Sequence, residues 1–136
     1  EENICDISSI LNDNVQSLID NFIGEQLQVP PMFSAKKVNG KRLYELARKN
    51  QNIVLEPSLV NFYDIKLSYS APYIDFYIKC SKGTYIRSFA RDIGDKLNVG
   101  GYLTSLRRIG IGDYKVTNAI KLIELIKFLK SKIEIK

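Results

Sequence analysis

Six cations crowd into fourteen residues at Lys36, Lys37, Lys41, Arg42, Arg48 and Lys49, opposed only by Glu45. Phe33 and Tyr44 are interleaved with them, and Asn39-Gly40 at the centre is a strong two-residue turn signal. Cations on such a hairpin neutralise phosphates and release their counterions, while an aromatic face accepts an unpaired base. This is the chemistry of an RNA-contacting loop; the alternative is a solvated hairpin whose aromatics pack inward.

A second group is the run Cys80-Ser81-Lys82-Gly83-Thr84-Tyr85-Ile86-Arg87. Gly83 permits a tight strand-to-helix turn, free N–H groups at a helix start attract anions, and Tyr85 and Arg87 project near that turn. A phosphate or a carboxylate suits such a place. The run lacks the glycines of a nucleotide-binding loop, and taken alone it also fits an Arg87 paired with a surface acid and a Tyr85 in the core. In a third segment, Leu103-Thr104-Ser105-Leu106-Arg107-Arg108, alternation puts Leu106 on one face and Arg107 on the other. A leucine so placed is ordinarily core. Cys5 and Cys80 are far apart and histidine is absent, so neither a zinc site nor a disulfide framework is supported. A reducing cytoplasm fits that cysteine usage.

The elements that must position these groups are legible in outline. Leu11, Val15, Leu18, Ile19 and Phe22 trace one helix face, with Asn12 or Asp13 to cap its start and Gly24 to end it. Pro30-Pro31 forbids helix and sets an extended entry into Met32 to Val38; after the turn, Lys41 to Lys49 reads as a short helix with Leu43, Leu46 and Ala47 on one side. Residues 53–69 and 73–80 read as two strands, the second from the alternation of Ile74, Phe76 and Ile78 with Asp75, Tyr77 and Lys79. Ile86, Ala90, Ile93 and Leu97 then mark a helix ending near Asn98 and Gly100-Gly101. Residues 102–116 read as a strand or hairpin turning at Gly112-Asp113, and Thr117 is the expected cap of a last amphipathic helix running to about Lys130. The class is α+β, with a mixed, mainly antiparallel sheet and flanking helices.

The 136 residues suffice for one domain and its core. With 45% hydrophobic and 26% charged residues the composition is that of a globular protein, and the apolar runs at Leu122-Ile123 and Leu125-Ile126 are broken by charge too soon to span a bilayer. The opening Glu1 to Asp6 does not read as a secretory leader. Residues 1–25 carry six acids and no base, so from Gln26 onward the net charge is +11. Such a surface favours a polyanion, whether RNA, DNA or an acidic membrane; by charge alone it fits equally a solvated surface in an organism whose proteins are Lys-rich.

Three segments taken together narrow this. Pro30-Pro31-Met32-Phe33-Ser34-Ala35-Lys36-Lys37-Val38-Asn39-Gly40-Lys41-Arg42-Leu43-Tyr44-Glu45-Leu46-Ala47-Arg48, then Cys80 to Arg87, then Gly100-Gly101-Tyr102-Leu103-Thr104-Ser105-Leu106-Arg107-Arg108, closely resemble in order and spacing the bacterial tRNA pseudouridine synthases that modify the T-loop uridine. The resemblance runs from the helix before Pro30 to the helix after Thr117. It implies that residues 1–136 are the C-terminal portion of that catalytic domain, with an inserted thumb-like hairpin-helix at about 30–50 gripping the T-arm.

The resemblance also implies isomerisation of a uridine already in RNA, without metal or organic cofactor. Arg87 is then the partner of an essential aspartate, Tyr85 borders the flipped base, Leu106 packs against it, and Lys36, Lys37, Lys41, Arg42 and Arg48 contact RNA. The family's aspartate lies in a Gly-Thr-Leu-Asp-like segment that has no match here; none of Asp64, Asp75, Asp92 or Asp95 corresponds to it. The expectation is therefore a cytoplasmic tRNA-modifying enzyme, monomeric when whole, of which this chain supplies RNA-binding and pocket residues and is inactive alone. The alternative is a non-catalytic RNA-binding module. A guide-RNA-dependent relative is disfavoured by the Val38 to Tyr44 sequence.

Overall fold

The computed structural model describes residues 14–38, 40–48, 55–70 and 73–133. They fall in two units, Glu1–Leu103 and Thr104–Lys136. The first carries, in chain order, α1 (Asn14–Asp20), β1 (Gly24–Gln28), β2 (Lys37–Val38), β3 (Lys41–Arg42), α2 (Leu43–Ala47), β4 (Ser58–Ser70), β5 (Tyr73–Cys80) and α3 (Ile86–Lys96).

The alternation in β5 does what its period requires: Ile74, Phe76, Ile78 and Cys80 turn inward while Tyr73, Asp75, Tyr77 and Lys79 are exposed. β5 pairs antiparallel with β4, matching Ile65 to Ile78 and Leu67 to Phe76. A register shift between Phe62 and Asp64 lets Val60 and Phe62 on one side of it, and Ile65 on the other, all face the core. β1 pairs antiparallel with the opposite edge of β4, from Gly24 against Phe62 to Gln28 against Ser58, giving the order β1-β4-β5. The α+β class and the mainly antiparallel sheet thus stand. The 53–69 strand starts later than its composition indicates, at Ser58, just after Pro57. β1 is an addition, since Gly-Glu-Gln-Leu-Gln has little strand propensity and forms only because β4 offers an edge.

α1 and α3 cover one face of the sheet. Ile19 and Phe22 meet Val60, Phe62, Ile65, Phe89 and Ile93 in a single core. Phe89 is its hub, with ring centroids 5.3 Å from each of Phe22, Phe62 and Phe76. The buried residues of α3 are Ser88, Phe89, Ile93 and Gly94, with Leu97 packed against the core; Ile93 and Leu97 of the expected stripe thus face the core, while Phe89 takes the deepest position in place of Ile86 and Ala90. The proposed caps of α1, Asn12 and Asp13, lie outside the described residues.

Where α3 ends, the chain turns back against it. The N–H groups of Val99 and Gly100 both donate to the Gly94 carbonyl at 3.1 Å. A β-carbon on Gly94 would lie 2.1 Å from the Gly100 carbonyl carbon, and one on Gly101 would lie 2.5 Å from the Ala90 oxygen. Both obstacles are backbone, so no rotamer change relieves them. Gly94→Ala is expected to destabilise the first unit by about 3 kcal/mol. A chemical denaturation midpoint equal to that of the unsubstituted chain would show that the returning segment yields.

β2 and β3 form a minimal hairpin, Lys37 opposite Arg42 and Val38 opposite Lys41, and α2 follows at once with Leu43 and Leu46 buried. The helix is shorter than Lys41 to Lys49: Lys41 and Arg42 are spent in β3, and Lys49 lies outside the described residues, as does Asn39.

The second unit holds β6 (Gly110–Ile111) and β7 (Tyr114–Lys115), an antiparallel hairpin around Gly112-Asp113, then a single 3-10 turn (Val116–Asn118) and α4 (Leu122–Ile133). Residues 102–109 form no strand, and Thr117 sits in the 3-10 turn rather than capping the helix. The Glu124 carboxylate instead accepts the Lys121 N–H at 3.4 Å, the back-reaching half of a capping box. No helix among the described residues is long and apolar enough to cross a membrane.

Candidate nucleic-acid interface and active-site wall

The turn from β5 into α3 is built by its own side chains. Ser81 and Asn61 exchange hydrogen bonds, Ser81 N–H to the Asn61 carbonyl at 2.8 Å and Asn61 N–H to Ser81 Oγ at 2.9 Å. The Thr84 hydroxyl donates to the Ser81 carbonyl at 2.9 Å. Gly83 supplies the positive φ of 83° that the bend needs. Tyr85 then stands at the helix N-cap in extended conformation, φ −102° and ψ 108°, with no capping bond from its own side chain.

What fixes Tyr85 comes from β1. The Tyr85 N–H donates to Gln28 Oε1 at 2.8 Å, and Gln28 Nε2 donates to the Tyr85 carbonyl at 3.1 Å. Next to it the Ser88 hydroxyl donates to the Val29 carbonyl at 2.7 Å, and Arg91 Nη2 reaches the same oxygen at 3.2 Å while pairing with Asp92 at 2.6 Å. Further along, Arg87 Nη2 donates to the Phe33 carbonyl at 2.7 Å. The first turns of α3 are thus sewn to residues 28–33, the approach to the cationic hairpin. Arg87 is exposed and makes no ion pair among the described residues. Tyr85 is half-buried and lies outside the core cluster.

On the hairpin, Lys37, Arg42 and Arg48 are exposed, and Lys36 donates to the Ser58 hydroxyl at the start of β4. The Arg42 and Arg48 guanidinium carbons lie 5.9 and 5.7 Å from the centroid of the Tyr44 ring, so two cations share one aromatic face-pair. Phe33 is 61% exposed, which leaves its ring available for stacking. The side chain of Lys41 lies outside the described part. The hairpin is anchored by two backbone bonds, Leu43 N–H to the Lys36 carbonyl at 2.9 Å and Tyr44 N–H to the Ser34 carbonyl at 3.1 Å.

The structure therefore brings together the first two sequence groups within one unit. From the third, Gly100 and Gly101 pack on α3, whereas Leu106 belongs to the second unit and is 64% exposed. The alternation that separates Leu106 from Arg107 does not exist, since the segment is not a strand and both side chains are exposed. Sequence reasoning missed Gln28 and Arg91. Arg91 lies four residues beyond Arg87 on the same helix, which would have marked it as a neighbour; Gln28 gave no signal without β1. A cavity of about 320 Å³ lies beside this seam, lined by Phe22, Gln26, Gln28, Phe62, Arg91 and Asp92 among others. No group of three or more possible metal-ligating His, Cys, Asp or Glu side chains occurs among the described residues.

The sequence model of the TruB family of pseudouridylate synthases, N-terminal domain, matches residues 1–86, and the chain belongs to that family. The chain is similar to the tRNA pseudouridine synthase B of Clostridium tetani, with 45% identity over 118 residues that make up 86% of this chain and 41% of the relative. It is 46% identical over 114 residues to that of Clostridium novyi (83% of this chain, 39% of the relative), and 45% identical over 122 residues to that of Ehrlichia canis (88% and 40%). The chain spans about 40% of the length of these relatives.

Proposed function

We propose that this chain is the RNA-gripping and pocket-wall part of an enzyme that converts the T-loop uridine of tRNA to pseudouridine. The observation that carries the reading is the 2.7 Å bond from Arg87 to the Phe33 carbonyl, which fastens the arginine of the helix turn to the root of the cationic hairpin. Family membership supports the reaction class. The hairpin-helix at about 30–50 acts as a thumb whose Lys36, Lys37, Lys41, Arg42 and Arg48 neutralise T-arm phosphates. The uridine must leave its folded loop at a cost of a few kcal/mol, which those contacts offset.

In the reaction the N1–C1′ bond breaks, a C5–C1′ bond forms, the C5 proton is released to solvent and N1 takes up a proton, so that the product is an isomer of the substrate. An aspartate supplied from sequence other than residues 1–136 starts it; Arg87 favours its ionised form and fixes its direction, as a cation within a few ångströms does. Tyr85 borders the flipped base and Leu106 packs against it.

The test is release of tritium from tRNA carrying [5-³H]uridine. The complete protein containing this chain should release it in proportion to T-loop uridine and lose the signal when that uridine is replaced. Binding without release would make the chain a non-catalytic RNA-binding module. Residues 1–136 alone should release none, and turnover above background by them would place the carboxylate inside the chain.

A further inference from the structure

We propose that Gln28 is a positioning residue of the reaction, holding the Tyr85 backbone, and through it Tyr85 and Arg87, in register with the base. The inference rests on the reading given under Proposed function.

A primary carboxamide carries a donor and an acceptor side by side, the arrangement a peptide group offers a neighbouring strand. Gln28 uses both on one residue, accepting the Tyr85 N–H at 2.8 Å and donating to the Tyr85 carbonyl at 3.1 Å. That carbonyl also accepts the Phe89 N–H at 3.1 Å, the first bond of α3. Gln28 therefore fixes the residue at which extended chain becomes helix, and so the azimuth at which Arg87, two residues on, leaves the helix. Tyr85 has no other cap: its side chain makes no capping bond. Nor does Gln28 move freely, being 4% exposed on the last position of β1, opposite Ser58. A buried amide with both polar atoms satisfied by one backbone residue is a rigid jig. Ser88 lies in the same seam but bonds the Val29 carbonyl, and so leaves the Tyr85 backbone untouched.

Two variants of the complete protein separate these roles. Gln28→Met keeps an unbranched side chain of similar length and removes both bonds. Displacing reacting groups by about 1 Å lowers rates about a hundredfold, so kcat for tritium release should fall by about thirtyfold to a hundredfold. KM for tRNA should stay within about threefold, since the hairpin cations are untouched. Ser88→Ala removes a neighbouring hydrogen bond and should leave kcat within about threefold of wild type. Rates are taken per folded molecule, from circular dichroism at the assay temperature. Wild-type kcat in Gln28→Met, a rise in KM in place of the kcat loss, or an equal kcat loss in Ser88→Ala would each overturn the assignment. Should Gln28→Met not fold, Gln28→Glu decides on the same readout: it keeps the acceptor for the Tyr85 N–H and loses the donor. Reduced kcat at constant KM supports the role, and wild-type kcat or a raised KM removes it. If the wild-type protein itself makes no pseudouridine, the functional reading fails and not this inference alone.

Discussion

Arg87→Ala in the complete protein is expected to lower pseudouridine formation by about a thousandfold while tRNA affinity stays within about threefold, because the loss falls on the chemical step. Arg87 spends Nη2 on the Phe33 carbonyl and stays exposed, so a second edge of the guanidinium can face a carboxylate while the first stays tethered. That double duty requires a planar fork. An ammonium is a point charge on a flexible stem, and Arg87→Lys should therefore recover little of the rate. Single-turnover tritium release with saturating enzyme isolates the step. Turnover by Arg87→Ala close to wild type would remove the carboxylate pairing, leaving Arg87 as a tether of the hairpin root alone.

Neutralising Lys36, Lys37, Lys41 and Arg42 together should weaken tRNA binding on the order of a hundredfold at moderate salt and reduce the slope of log K against log salt by about 3 units. The loss of slope should be smaller than four charges allow, since Lys36 is already engaged with the Ser58 hydroxyl and Arg42 lies against Tyr44. Filter binding across a salt series measures both quantities. An unchanged slope would mean that the hairpin does not touch the RNA backbone. A Leu106 substitution should leave the slope where it is, because it removes no charge.

The parts of this molecule that local chemistry decides were open to reading in the sequence. β5 follows from strict alternation, the β2-β3 turn from Asn39-Gly40, and the break before α3 from Gly83. What went unread is decided by neighbours. β1 exists because β4 presents an unpaired edge, so the polar Gly-Glu-Gln-Leu-Gln run betrays nothing by itself, and Gln28 was invisible for the same reason. On α3, Ile93 and Leu97 face the core as periodicity predicts, but periodicity weighs Ile86 and Phe89 alike, whereas packing favours the ring that touches three others. Thr117 and Glu124 are both legitimate start signals; the extended backbone at Ala119 places the helix start after the first and leaves the second in use. Leu106 was assigned a strand face that residues 102–109 do not form.

The antiparallel match of Gln28 with Ser58 means that the chain leaves the sheet and rejoins it at a single rung, the described residues 29–38, 40–48 and 55–57 lying outside that sheet. Such an excursion is modular. Its length is only weakly constrained, because doubling a closed loop costs about 0.6 kcal/mol in chain entropy. Evolution, or an engineer, can therefore lengthen, recharge or exchange this cassette to suit a different RNA stem without redrawing the sheet. The conditions are that the Gln28–Ser58 rung survives and that the carbonyls of Val29 and Phe33 still present themselves to α3.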